Sequence, residues 1–267
     1  MLRVAIGGFG AIGRRVAQAI DAGVTGLELV AVSARDEARA RERVAELRRP
    51  VPVVALGDLA DMADVIVECA PAAVFRQVAE PAIEAGRIFM PLGVGQLLLY
   101  DDLLDRAAVT GARIVPPTGA LLALDAVRAA AEGTIESVTM VTRKPPGGLA
   151  GAPYLEANGI VLDGLGEPAM IFDGSARDGA KGFPANVNVA AALSLAGVGP
   201  DRTRLQIWAD PTVDRNIHTI RVEADSARFE MRIENVPSIE NPRTGRITAL
   251  STIAALRGLV ATLKVGS

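Results

Sequence analysis

Short apolar runs alternate with helical patterns over residues 1–130, the rhythm of strand–helix–strand units. Strands are expected at 2–6, 27–33, 51–55, 64–69, 87–91 and 112–115. Helices are expected between them at 11–22, 36–48, 72–85 and 97–110. Strands joined in this way require right-handed parallel crossovers, so the pattern predicts a doubly wound parallel sheet. Beyond residue 132 the rhythm changes. Residues 135–143 alternate like a strand with one wet face, with Ile135, Val138 and Met140 divided between its two faces. A Gly/Pro/Asp-rich tract at 145–182 has little periodicity, and an Ala-rich helix follows at 184–196 with Pro184 at its first position. Strands at 205–209, 217–224 and 227–234 then make an antiparallel or mixed sheet. An apolar-striped helix at 247–263 is expected to pack back on the first domain. The expected fold is α/β: an N-terminal doubly wound parallel sheet over 1–130, plus a smaller α+β domain over 131–246.

Composition sharpens this picture. Half of the 267 residues are apolar but only 3% are aromatic, so the core is built from Ala, Val, Leu and Ile. That suits buried parallel strands under Ala-rich helices. Net charge is −3 with both signs interspersed, and there is no basic stripe, so neither nucleic acid nor a membrane surface is an expected partner. Cys69 is the only cysteine, which excludes an intramolecular disulfide and fits a reducing compartment. It reads as a packing residue. No signal-peptide pattern opens the sequence and no apolar stretch reaches the roughly 20 residues of a membrane helix. The expected location is the cytoplasm.

The strongest chemical signal follows the first strand. Gly8-Phe9-Gly10-Ala11-Ile12-Gly13 is a G-x-G-x-x-G between a strand and a helix. Gly8 permits the tight turn, Gly10 lets a pyrophosphate approach, and Gly13 lets helix and strand pack closely. The helix N-terminus adds free N–H groups and a positive dipole end. Together with the sheet pattern this predicts a Rossmann-type dinucleotide site containing Gly8, Gly10, Ala11, Ile12 and Gly13. At the end of the second strand, Ser33 or Ala34 stands where an acid usually binds the ribose of NAD. Arg35 follows and either accepts the 2′-phosphate of NADP or is a solvated surface residue. The expected cofactor is NAD or NADP.

His218 is the single histidine. Period-2 alternation places it with Ile220 and Val222 on the inward face of its strand. It is either a hydrogen-bonded core residue or the proton donor and acceptor that an oxidoreductase needs near neutral pH. Asn186 and Asn188 are polar exceptions in an apolar helix and either cap it or hold substrate or nicotinamide. Arg143-Lys144 at a strand end, followed by Pro145 and Pro146, either hold a substrate carboxylate or form a solvated end.

Several runs, in consistent order along nearly the whole chain, resemble the L-aspartate dehydrogenase family. They are the glycine loop, Pro117-Thr118-Gly119-Ala120, Thr142-Arg143-Lys144-Pro145-Pro146, Phe183-Pro184-Ala185-Asn186-Val187-Asn188-Val189-Ala190, Asp210-Pro211-Thr212-Val213-Asp214-Arg215-Asn216-Ile217-His218, and Glu240-Asn241-Pro242-Arg243-Thr244-Gly245-Arg246. Departures are Thr-Gly-Ala in place of Ser-Gly-Ala, and the segment from Pro91 to Gly95. The resemblance implies NAD(P)-dependent, reversible oxidative deamination of L-aspartate to iminosuccinate, which hydrolyses to oxaloacetate and ammonia, with a place in NAD biosynthesis. It puts the catalytic histidine at His218 and nicotinamide contacts at Ala120 and Asn188. Lys144, Asn186 and Asn216 are the expected substrate contacts, and no metal is expected. A homodimer or larger assembly is expected, joined through the second domain's sheet. Two other readings stay open: a reductase of another small dicarboxylate, similar to dihydrodipicolinate reductase, and an NAD(P)-sensing module without turnover.

Overall fold

The computed structural model describes residues 1–184, 187–241 and 244–266. The chain divides into two compact units. The first comprises Met1–Gly93, Tyr100–Gly119 and Thr248–Val265. Its elements are β1 (Leu2–Gly7), α1 (Ala11–Asp21), β2 (Leu27–Ser33), α2 (Glu37–Ala45), α3 (Leu59–Met62), β3 (Val65–Glu68), α4 (Phe75–Glu84), β4 (Ile88–Pro91), α5 (Asp102–Thr110) and β5 (Arg113–Ile114). The strands form a parallel sheet in the order β2-β1-β3-β4-β5. Its inner strands are continuous apolar runs, Val4-Ala5-Ile6 and Val65-Ile66-Val67, all fully buried because helices cover both faces. Helix α1 turns Val16, Ala17 and Ile20 into the same core as Val4, Ile6, Leu27 and Leu29. Each of the Val, Leu and Ile side chains contributes roughly 1.5–3 kcal/mol on burial. Asp36 caps α2, its Oδ1 accepting from Arg39 N at 3.0 Å.

Three expectations for this unit change in detail. The strand expected at 51–55 reduces to a single bridge, Val32 to Val53, because Pro50 and Pro52 have no N–H to extend a ladder. The helix expected at 72–85 begins as a 3₁₀ turn, Ala72–Val74, and the one expected at 97–110 is split into a separate 3₁₀ turn, Val94–Leu98, which belongs to the second unit, and an α-helix. Only from Phe75 and Asp102 do they run as α-helix.

The second unit comprises Val94–Leu99 and Ala120–Ile247, with Gly266. Its elements are α6 (Leu124–Ala131), β6 (Ile135–Lys144), α7 (Pro153–Ala157), β7 (Ala169–Ser175), α8 (Ala176–Gly182), α9 (Asn188–Ala196), β8 (Thr203–Ala209), β9 (Ile217–Ala224) and β10 (Arg228–Glu234). The sheet is mixed, in the order β10-β9-β6-β8-β7, with β6 parallel to β8 and the other pairs antiparallel. Helices α8 and α9 pack on the face carrying Leu205 and Ile207.

The tract at 145–182 is more ordered than its composition predicts. It holds α7, the edge strand β7 and α8. Both helices are too short to show a period, and Tyr154, Phe172 and Phe183 anchor the tract as a ring cluster with centroids 5.2–5.7 Å apart. The helix expected from Pro184 starts at Asn188, so Pro184 does not occupy a first helical position. The division of Ile135, Val138 and Met140 between two faces is also corrected. A register shift between Ile135 and Ser137 inserts a bulge, after which Ile135, Val138, Met140, Thr142 and Lys144 are all buried on one face. The closing helix α10 (Ile247–Gly258) stops at Gly258 rather than 263, and its Leu256 joins the core of the first unit. Among the described residues, no helix is long and apolar enough to cross a membrane.

Candidate active site

The glycine loop is shaped by close approach. Gly8 has φ +107°, and a Cβ there would lie 2.5 Å from the Cys69 carbonyl oxygen. At Gly13, in the first turn of α1, a Cβ would be driven into the carbonyl oxygen of Gly8. Gly10 differs: it is the N-cap of α1, and a Cβ there meets nothing within 4 Å. Ala11 and Ile12 are half-buried beside it. No acidic residue occupies the first turn of α1. The open space over Gly10 and the uncountered N-terminus fit a pyrophosphate. Past β2, Ser33 is buried and Arg35 exposed, while the carboxylate of Asp36 is used by its own helix. Cys69 follows β3, and burial together with the Glu68 charge pushes its thiol well up, as suits a packing residue.

In the second unit the strand register assembles a different cluster. The β6–β9 pairing sets Thr142 opposite His218 and Arg143 opposite Ile217, and Lys144 ends β6 one residue further on. His218 is 2% exposed, with Nδ1 3.1 Å from Thr142 Oγ1. Burial, reinforced by the Lys144 charge, lowers its pKa to about 3. The near-neutral titration expected of His218 from its residue type is thereby overturned: the imidazole is neutral at physiological pH. Lys144 is 5% exposed, and burial lowers its pKa to about 8. The two adjacent cations therefore part company. Lys144 points inward beside His218, while Arg143 lies over the Trp208 ring at 4.7 Å and pairs with Asp210 at 3.0 Å. Period-2 alternation makes this separation inevitable once β6 runs through residue 144.

The remaining predicted residues are placed as follows. Asn188 opens α9, and its Oδ1 accepts from Gly95 N at 3.0 Å, leaving its amide N–H groups for other partners. Asn186 lies outside the described residues. Asn216 is half-buried, and its carbonyl accepts from Asn235 N at 2.9 Å. The Ala120 carbonyl accepts from Asn235 Nδ2 at 3.3 Å, and Asn235 Oδ1 is buried without a partner among the described residues.

Sequence reasoning assigned no role to Thr142, Asn235 or Glu68. Thr142 was findable, because it shares an alternating face with Met140 and Lys144. Glu68 carried a signal as well, an acid ending the apolar run Val65-Ile66-Val67. Asn235 carried none, since its partner Ala120 lies far away in sequence.

Comparison with known proteins agrees with this layout. The family model "Aspartate dehydrogenase, C-terminal" matches residues 125–259, and "Homoserine dehydrogenase, NAD binding domain" matches 8–117. L-aspartate dehydrogenase of Bradyrhizobium diazoefficiens is 58% identical over 266 residues, covering 100% of this chain and 94% of that protein. L-aspartate dehydrogenase 3 of Bordetella bronchiseptica is 54% identical over 267 residues, covering 100% and 98%. The crystal structure of aspartate dehydrogenase from Thermotoga maritima shares the fold with TM-score 0.73, at 22% identity and full coverage of both chains. With an NAD-binding first unit, a matched second unit and full-length relatives well above the identity at which families diverge, this chain belongs to the aspartate dehydrogenase family.

Proposed function

We propose that the protein is an NAD(P)-dependent L-aspartate dehydrogenase, which oxidises the Cα–N bond of L-aspartate to iminosuccinate and releases oxaloacetate and ammonia. The observation that carries this reading is the buried Thr142–His218–Lys144 cluster, a neutral imidazole beside a cation in an apolar sheet face. Gly8, Gly10, Ala11, Ile12 and Gly13 would hold the dinucleotide, with Arg35 at its ribose end and Ala120 and Asn188 toward the nicotinamide. The cofactor supplies the hydride acceptor.

Lys144 provides the positive charge for a substrate carboxylate, with Asn186 and Asn216 as further polar contacts. His218 handles the proton released by the amine or by the water that attacks the imine carbon. Thr142 orients the ring: Nδ1–H donated to Thr142 Oγ1 leaves the Nε2 lone pair for that proton. A carboxylate paired with Lys144 removes the second of the two influences that depress His218, so the base strengthens when a diacid is bound.

Assays with L-aspartate, other amino diacids and hydroxy diacids, each with NAD and NADP, test the reading. Aspartate-dependent formation of reduced cofactor is expected. Turnover restricted to another diacid, or cofactor binding without any turnover, would replace it. The near-complete burial of His218 would also suit a sensing module, which makes turnover the deciding measurement.

Lys144→Met is expected to raise the KM for L-aspartate about tenfold or more, the scale of a charged hydrogen bond, with a smaller change in kcat. In the wild type, affinity for the unreactive diacid succinate should weaken as pH rises past about 8, where Lys144 loses its proton. An unchanged KM in Lys144→Met would release Lys144 from substrate binding.

The outward face of the second sheet carries Val141 and Trp208 among Arg143, Arg204, Gln206, Thr219 and Arg221, all exposed or half-buried. We place a homodimer or larger assembly on this face, and the protein in the cytoplasm. With Ile135, Val138 and Met140 turned inward, the apolar part of the face is smaller than the alternating pattern of β6 implies. Analytical ultracentrifugation should give at least twice the chain mass, and a mass near 27.7 kDa would exclude the assembly.

A further inference from the structure

Glu68 is the last residue of β3, and its side chain is fully buried in the first unit. Its Oε1 accepts from Ala70 N at 2.7 Å, in the loop after β3. Its Oε2 accepts from Gly93 N at 2.9 Å, in the loop after β4. Both loops leave the carboxyl edge of the sheet, where open α/β sheets bind ligands. The first also lies against the glycine loop. Cys69 N donates to Gly7 O at 2.7 Å, and a Cβ on Gly8 would lie 2.8 Å from Ala70 N, the atom held by Glu68.

We propose that Glu68 is a positioning residue of the cofactor site: its carboxylate ties the loops after β3 and β4 together behind the glycine loop, and binding of the dinucleotide depends on both ties. The inference rests on the reading of the glycine loop as the pyrophosphate cradle.

The chemistry of the group gives the tie a direction. A carboxylate offers two accepting oxygens, one for each N–H. Protonation turns one of them into a hydroxyl, which cannot accept equally well, so one loop is released. Burial raises the Glu68 pKa to about 7, against the backbone bonds from Gly93 and Ala70 that favour the charged form. A raised acid pKa means that the native fold binds this proton more tightly than the unfolded chain does. Stability therefore falls as pH rises from 4.5 toward about 7. The influences on Glu68 are burial and the backbone N–H groups of Gly93, Ala70 and Leu92, and the titratable group coupled to it is Cys69, whose thiol is held well above this range.

Calorimetric binding of NAD⁺ between about pH 6 and about pH 8 tests this, because that ligand lacks a 2′-phosphate and does not titrate in the window. Wild-type affinity should rise several-fold toward the alkaline end. Lys144, losing charge near pH 8, would act in the opposite direction, and His218 titrates far below the window. Glu68→Gln, with one accepting oxygen, should bind about tenfold more weakly at the alkaline end and show no rise with pH. Glu68→Asp, charged but one methylene shorter, should be weakened as well. A flat wild-type profile, or Glu68→Gln binding as tightly as wild type, would overturn the proposal. If Glu68→Gln does not fold, the wild-type profile and Glu68→Asp decide it. A wild type that binds no NAD⁺ at any pH would instead overturn the functional reading on which the proposal rests.

Discussion

Alanine in place of His218 is expected to lower kcat by about a hundredfold or more and to leave cofactor affinity unchanged. The ring is the one imidazole in the chain, and its position is set by the strand register that brings Thr142 opposite it. Truncation also leaves a cavity and removes the partner of Thr142 Oγ1, so some stability is lost, on the order of 1–3 kcal/mol. The melting temperature and the Kd for NAD⁺ therefore accompany the turnover measurement. A folded His218→Ala protein with wild-type kcat would remove His218 from the mechanism. The pH dependence adds a second check. Burial and Lys144 keep His218 neutral in the native state down to about pH 3, whereas the unfolded chain protonates it below about 6.5. The unfolded state thus binds more protons in that window, and native stability falls as pH drops from about 6.5 toward about 3. In His218→Ala this share of the acid destabilisation should disappear.

Valine at Gly10 is expected to abolish measurable binding of NAD and NADP without unfolding the protein. Nothing lies within 4 Å of the Cβ position, and Gly10 sits at φ −80° and ψ −159°, extended backbone that valine adopts readily. The side chain would fill the space over the N-terminus of α1 that a pyrophosphate needs. Gly13→Ala makes the contrast, since its Cβ would collide with the Gly8 carbonyl and damage the fold itself. An unchanged melting temperature with an unchanged Kd in Gly10→Val would mean that the phosphates bind elsewhere.

Much of this protein was legible along the chain. Fully buried parallel strands need unbroken apolar runs, so β1, β2 and β3 are visible as Val/Ile/Leu-rich segments. The glycine loop is visible because its conformation requires glycine at Gly8 and close packing requires it at Gly13. Alternation over Ile217–Ala224 was enough to turn His218 inward. These features are legible because each leaves its mark on a few consecutive residues, even where the contact it serves is distant, as between Gly8 and Cys69.

What the chain could not reveal depends on distant partners. A bulge near Ile135 moves every later residue of β6 relative to its neighbours, and only pairing with β9 shows where it falls. The 145–182 tract becomes ordered through three aromatic side chains that meet only in the folded unit. The proton affinities of the site have the same origin. An imidazole near neutrality, an ordinary lysine and an ordinary glutamate are what residue types predict, and desolvation shifts them to about 3, 8 and 7. Side-chain identity is written in the sequence, but the dielectric and the charges around it exist only once β6, β9 and the loops after β3 and β4 are in place.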